Sequence, residues 1–222
     1  MKKNPTKQKV IDAASSLFFQ KGFHGTSVRD IAEKASVNVS LISYYFKGKQ
    51  GLLEYAVTNY YEEYLKTLEE TIEETDSLTP LKKLNALIFT IIHYKQRNHQ
   101  LTCFIQRELS LDSVFVREMA VTYLAKENHY IRHTFLDAIG GQVKGDTRHY
   151  LLMQLKGMLI TPYILHSEWK EQVIGDYSHQ IFVKKYVNTI QQWINFITEK
   201  GISAEKNMSN IITDEKTWRI GE

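Results

Sequence analysis

The side chains best able to do chemistry in this chain are few and far apart. Cys103 is the one cysteine in 222 residues, so neither an intrachain disulfide nor a cysteine zinc site can be assembled, and the chain suits a reducing compartment, the cytosol. His129 and His133 stand four apart on what would be one helix face, but two histidines alone make a weak ligand set and no metal is expected. There is no G-x-S-x-G elbow, P-loop, H-E-x-x-H or dinucleotide glycine fingerprint, so neither an enzyme activity nor a cofactor is expected. What remains is charge. Residues 1–51 carry nine Lys and Arg against three acids, while the rest of the chain has more acids than bases, and a basic end of this kind suits the phosphates of duplex DNA.

Three short helices account for that basic end. Pro5 or Thr6 can open the first, whose Val10, Ile11, Ala14, Leu17 and Phe18 recur on one face until Gly22 stops it. Thr26 and Ser27 offer cap hydroxyls to a second helix, with Asp30 three residues beyond Ser27 and an apolar stripe at Val28, Ile31, Ala32 and Ala35. Asn38 suits the N-cap of a third helix over 39–46, which Ile42 and Phe46 can pin onto the first two. Two short helices joined by a tight turn make the geometry that reads a DNA groove.

The run Phe18…Gly22-Phe23…Gly25-Thr26-Ser27-Val28-Arg29-Asp30-Ile31-Ala32…Val37-Asn38-Val39…Ile42-Ser43-Tyr44-Tyr45-Phe46-Lys47…Lys49…Leu52 resembles the DNA-binding domain of the TetR family and covers about the first fifty residues. The resemblance implies an all-α fold: a helix-turn-helix domain at 1–48, a larger helical regulatory and dimerisation domain at 49–200, and a polar tail at 201–222. It also implies that Val39, Ser40, Leu41, Tyr44 and Tyr45 face the groove, while Thr26, Ser27, Asn38 and Lys49 hold phosphates. Many relatives have a tyrosine where Ser43 stands, so its phosphate contact passes to Tyr44 or Tyr45 or is lost. Arg29 is the best reader of bases by chemistry, since a guanidinium can bond guanine O6 and N7 together.

Further helices are expected at 49–76, from Thr79-Pro80, at 102–111, 114–139, 149–167 and 177–200, with Pro162 kinking the penultimate one. No apolar stretch is long enough to span a bilayer, and no membrane partner is expected. Leu152, Leu155 and Leu159, with Val183, Tyr186, Val187, Ile190, Trp193, Ile194 and Ile197, follow a three-four repeat suited to lengthwise helix packing. The family resemblance makes these two segments the interface of a homodimer, and a two-fold protein calls for a near-palindromic DNA site.

Two uses of the larger domain follow from resemblance. The commonest in the family is a small-molecule effector that shifts the two heads, for which His93, Tyr94, Arg107, Tyr123, His129 and His133 are the pocket candidates. A narrower similarity, carried by Leu101-Thr102…Phe104…Arg107-Glu108…Arg117-Glu118…Thr122-Tyr123-Leu124 and Gln154-Leu155-Lys156…Pro162-Tyr163, points to the branch that regulates cell division in sporulating bacilli. That branch implies a nucleoid-associated protein acting on the division protein FtsZ, with Glu54, Glu62, Arg117 and Glu118 as charged candidates for a docking surface.

Overall fold

Where the hydrophobic period is 3.6 the backbone follows it. The computed structural model describes residues 5–110, 114–140, 143, 145–164 and 179–199, in which all regular structure is helical. The helices are α1 (Pro5–Lys21), α2 (Val28–Ala35), α3 (Val39–Phe46), α4 (Lys49–Glu74), α5 (Pro80–Arg97), α6 (His99–Ser110), α7 (Val114–Ile139), α8 (Thr147–Ile164) and α9 (His179–Glu199). The expected tail at 201–222 lies outside the described residues, as does Tyr177, where the last helix was expected to begin. None of the described helices is long and apolar enough to cross a membrane.

The first three helices form a head and α5–α9 a body, with α4 serving both. Its first turns bury Leu52, Leu53 and Ala56 against α1 and α3, and its later turns bury Tyr60, Tyr61, Tyr64 and Leu68 against α5 and α7. The α3–α4 corner is tight: Gly48 has φ +108°, a conformation other residues rarely adopt, and a Cβ on Gly51 would lie 2.0 Å from the Phe46 carbonyl oxygen. At the α5–α6 corner one residue closes two helices. The Asn98 N–H bonds to the Tyr94 carbonyl, ending α5, and the Asn98 carbonyl accepts from Thr102, so α6 starts three residues before the expected 102.

The body interior is polar in an ordered way. Lys95, on α5, lies 3.0 Å from the carboxylate of Glu127, on α7, and the Tyr64 hydroxyl donates to the same oxygen at 2.6 Å. Desolvation, then the Glu127 charge, hold the Tyr64 hydroxyl far above its ordinary pKa, so it remains a donor. Beside them Thr102 donates to the Lys95 carbonyl and shares a 3.0 Å hydrogen bond with Tyr60, and the Tyr94 hydroxyl donates to the Tyr60 carbonyl. Two charges taken out of water cost several kcal/mol each, and this network offsets that by giving each a partner.

On α8, Pro162 has no N–H to offer the carbonyl four residues back. The Tyr186 hydroxyl from α9 takes its place, donating to the Met158 carbonyl at 2.7 Å and tying the two helices together. The dimer-facing residues expected on these helices are corrected here. Leu152, Leu155, Leu159, Val183, Val187, Ile190, Ile194 and Ile197 are buried within the single chain, and Tyr186 and Trp193 are half-buried, Trp193 stacked on Phe135. A three-four repeat marks the face that must leave water; it does not say against what. The solvent-facing stripe is the other one: Tyr150, Met153, Gly157 and Ile164 on α8, and Ile181 and Phe196 on α9.

Replacing Glu127 by Gln strands the Lys95 ammonium, and denaturant unfolding at fixed protomer concentration should show a loss of about 3–5 kcal/mol. The double change Lys95→Met with Glu127→Leu should recover most of it; a Gln variant as stable as the parent would mean that the pair is not buried in solution.

Candidate nucleic-acid interface

Two capped helices and the turn between them present the candidate reading surface. Ser27 caps α2: its Oγ accepts from the Asp30 N–H at 3.1 Å, and the Asp30 carboxylate accepts from the Ser27 N–H at 2.9 Å, completing a capping box. The Ser27 N–H, and after it the Ser27 side chain, hold the Asp30 carboxyl below the usual carboxylate range, so the cap is intact above the unfolded pKa of about 4 and is lost as pH falls through the lowered value. Ser36 ends α2 in the left-handed conformation, its N–H bonded back to Glu33. Asn38 then starts α3, accepting from both the N–H and the hydroxyl of Ser40 at 2.8 Å. Ile42 and Phe46 are buried, so the opposite face of α3 meets solvent.

That face carries the side chains expected to meet DNA. Val39, Ser40, Ser43 and Tyr44 are exposed, Tyr44 at 78%, and Leu41 and Tyr45 are half-buried. Arg29 projects from α2 into solvent and makes no ion pair among the described residues, neither with Asp30 nor with Glu33; the Asp30 carboxylate is engaged by Ser27. Ser27 and Asn38 remain at the surface, each holding a helix N-terminus whose N–H groups suit a phosphate.

Thr26 and Lys49 are corrections to the phosphate-holding set. Thr26 is 2% exposed and its hydroxyl donates to the Gly22 carbonyl at 2.8 Å. The Lys49 ammonium turns inward, donating to the carbonyls of Phe23 at 2.8 Å and Thr26 at 2.7 Å over the Phe23 ring. Together they fasten the α1–α2 loop to the start of α4. A hydroxyl and a lysine near a DNA-binding helix suit phosphate by type, but here carbonyls left open by the loop claim them first.

The effector candidates do not converge. His93 is exposed and stacked on Phe89, while His129 and His133 lie in solvent on α7. His133 contacts Asp137 at 3.2 Å, a carboxylate one turn on that sequence reasoning passed over; no group of three metal-binding side chains occurs among the described residues. Tyr123 stacks on Tyr61 between α7 and α4. Arg107 is a strap: from α6 its guanidinium donates to the Phe18 and Phe19 carbonyls at the end of α1, at 2.9 and 3.2 Å, joining body to head. Only the spare acceptor capacity of carbonyls at a helix end could have hinted at that role. Burial pushes the Cys103 thiol up to about 12, so it carries no thiolate at neutral pH. Glu54, Glu62 and Glu118 are exposed, and the Arg117 side chain lies outside the described residues. Of the six candidates Tyr94 alone reaches a cleft, one of about 700 Å³ at the head–body junction, bordered also by Asp12, Asn59, Glu63, Arg97 and His99.

A three-helix head with a capped, outward-facing third helix on an all-helical body defines a helix-turn-helix DNA-binding protein. Residues 10–56 match the family model described as bacterial regulatory proteins, tetR family. Over 210 residues the chain is 40% identical to a protein described as a probable HTH-type transcriptional regulator, YttP, of Bacillus subtilis, covering 91% of this chain and 98% of that one. This chain belongs to the TetR family, and it is a DNA-binding transcriptional regulator of that type, not an enzyme. The fold is shared with the ketosteroid regulator KstR2 of Mycobacterium tuberculosis (TM-score 0.70, 15% identity, 85% of this chain and 94% of that one). It is shared too with the regulator FadR of Bacillus subtilis in complex with stearoyl-CoA (TM-score 0.60, 20% identity, 82% and 96%).

Reader and fastener separate by mutation. Arg29→Ala should leave the melting curve unchanged and relax base preference at one position of each half-site, by about 1–3 kcal/mol, in anisotropy titrations against sites selected from a random library. Lys49→Met should lower the melting temperature and weaken binding to selected and random DNA alike, with Thr26→Val acting in the same direction.

Proposed function

We propose that the protein binds near-palindromic chromosomal sites as a homodimer, with α2 and α3 of each copy reading one half-site and α8 and α9 pairing the copies. The observation that carries this is the solvent-facing stripe on those two helices, where Met153 is 65% and Tyr150 63% exposed. Gly157 sits mid-stripe and a Cβ there would meet nothing in this chain, although glycine inside a helix costs about 1 kcal/mol relative to alanine. A second backbone crossing at Gly157 gives that cost a use. Groove contacts fall to Arg29, Val39, Ser40, Leu41, Tyr44 and Tyr45, and phosphate contacts to Ser27 and Asn38, with Ser43 on the same DNA-facing surface. The head occupies 1–48 and the body 49–200, and the protein works on the nucleoid in the cytoplasm.

For the body we take docking of a protein partner as the first reading: a role like that of RefZ, the TetR-like regulator of division in sporulating bacilli, acting on FtsZ from its DNA sites. Two features support it. The tyrosines and the Lys95–Glu127 pair fill the space between α4, α5 and α7, and of the effector candidates His93, Arg107, Tyr123, His129 and His133 point to solvent or to neighbouring helices, Tyr94 alone bordering the head–body cleft. The similarity in α6–α8 lies outside the DNA-binding head. The second reading, release from an operator by a small molecule, is favoured by the stearoyl-CoA complex of the Bacillus subtilis FadR fold neighbour.

Occupancy of the tagged protein on its host chromosome, paired with transcript levels after deletion, distinguishes them. A few palindromic sites without transcript changes, and affinity unmoved by stearoyl-CoA, fit the division role; promoter sites with rising transcripts fit the repressor. For the dimer, Gly157→Leu should leave the chain folded and shift it to monomer in sedimentation, with cooperative site binding lost. A dimer of undiminished strength in that variant would remove α8 from the interface.

A further inference from the structure

One basic side chain of the head is used by neither the caps nor the groove-facing set. Lys7 lies in the first turn of α1, half-buried, and its ammonium stands over two aromatic rings from two other helices: Tyr45 of α3, 5.3 Å from the ring centroid, and Tyr55 of α4, at 5.6 Å. The rings continue outward from there. Tyr45 meets Tyr44 edge to face at 5.1 Å, and Tyr55 meets Phe46, the buried end of α3, at 5.3 Å. A path of direct contacts therefore runs from the start of α1 to Tyr44, the most exposed aromatic of the recognition helix.

A cation over a ring face is attracted by the ring quadrupole, and more strongly where water is partly excluded. Tyr45 sits where that matters: it is half-buried, and the exposed Tyr44 ring rests edge to face on it. We propose that Lys7 is a positioning residue for DNA recognition, its ammonium held between Tyr45 and Tyr55 so that the Tyr45–Tyr44 pair is set for the groove before DNA arrives. The inference rests on α3 as the groove-facing helix. A positioning role makes a different forecast from a direct phosphate contact, which would add affinity without regard to sequence.

The test is a mutant cycle on the full chain, read by anisotropy against selected and random duplexes over a salt series, with tyrosine ring-proton shifts followed by NMR in the free protein. Lys7→Met should shift the Tyr44 and Tyr45 ring resonances without DNA present, weaken binding to the selected site about tenfold, leave random-DNA affinity nearly unchanged and keep the salt slope. Lys7→Arg, whose guanidinium also stacks on rings, should restore both shifts and affinity. Lys7→Met with Tyr45→Leu should cost no more than Tyr45→Leu alone. Equal losses on selected and random DNA, with the salt slope lower by about one per subunit, would make Lys7 a phosphate contact and overturn the proposal. Additive losses in the double variant, or unmoved ring resonances, would overturn it as well. If Lys7→Met lowers the melting temperature, Lys7→Gln is read beside it, and a failure of Lys7→Arg to rescue counts against the proposal in either background. Should Arg29→Ala and Tyr44→Ala also leave selectivity intact, the failure belongs to the assignment of the groove-facing surface instead.

Discussion

One helix belongs to two cores. The first turns of α4 close the head over Leu52, Leu53 and Ala56, and its later turns close the body over Tyr60, Tyr61, Tyr64 and Leu68, with no break in its hydrogen bonding between. Close packing makes each of these contacts hard to give up singly. A displacement of α4 within the body must reappear at the head, and DNA that constrains the head must be felt in the body. Arg107 adds a second connection, from α6 to the end of α1, so the head is held at two points and cannot swivel freely about either.

The body spends polar groups where a helical bundle would ordinarily place leucine. Lys95, Glu127, Tyr64, Tyr60 and Thr102 form a connected set in which hydrogen-bond direction, not volume alone, decides how α4, α5, α6 and α7 meet. Apolar contacts tolerate small slides; a buried carboxylate shared by an ammonium and a phenol does not. The arrangement favours one packing over its near neighbours.

Much of this was legible from residue order. Helix starts followed from Ser27 with Asp30, from Asn38 and from Pro80, because caps act over three or four residues and need no distant partner. Ile31, Ile42 and Phe46 were identifiable as core for the same local reason. What failed was everything decided by a partner remote in sequence. Lys49 and Thr26 have the right chemistry for phosphate, yet carbonyls of the α1–α2 loop claim them. Arg107 has the right chemistry for an anionic ligand, yet α1 claims it. The repeat on α8 and α9 marked a buried face correctly and named the wrong neighbour, since periodicity carries no information about which surface supplies the burial. The exposed stripe, with a glycine at its middle, was the subtler signal: a residue poorly suited to its own helix and unexplained by its own chain.

Pro162 leaves the Met158 carbonyl as an acceptor that its own helix cannot fill, and Tyr186 fills it. Such an acceptor works as a registration mark. Sliding α9 by one turn, about 5.4 Å, along α5, on which it chiefly packs, would leave the carbonyl empty and the phenol without its bond. The two helices are thereby indexed against each other inside one chain, and any second chain that lies across them meets a surface whose features are already aligned rather than a set of interchangeable ones.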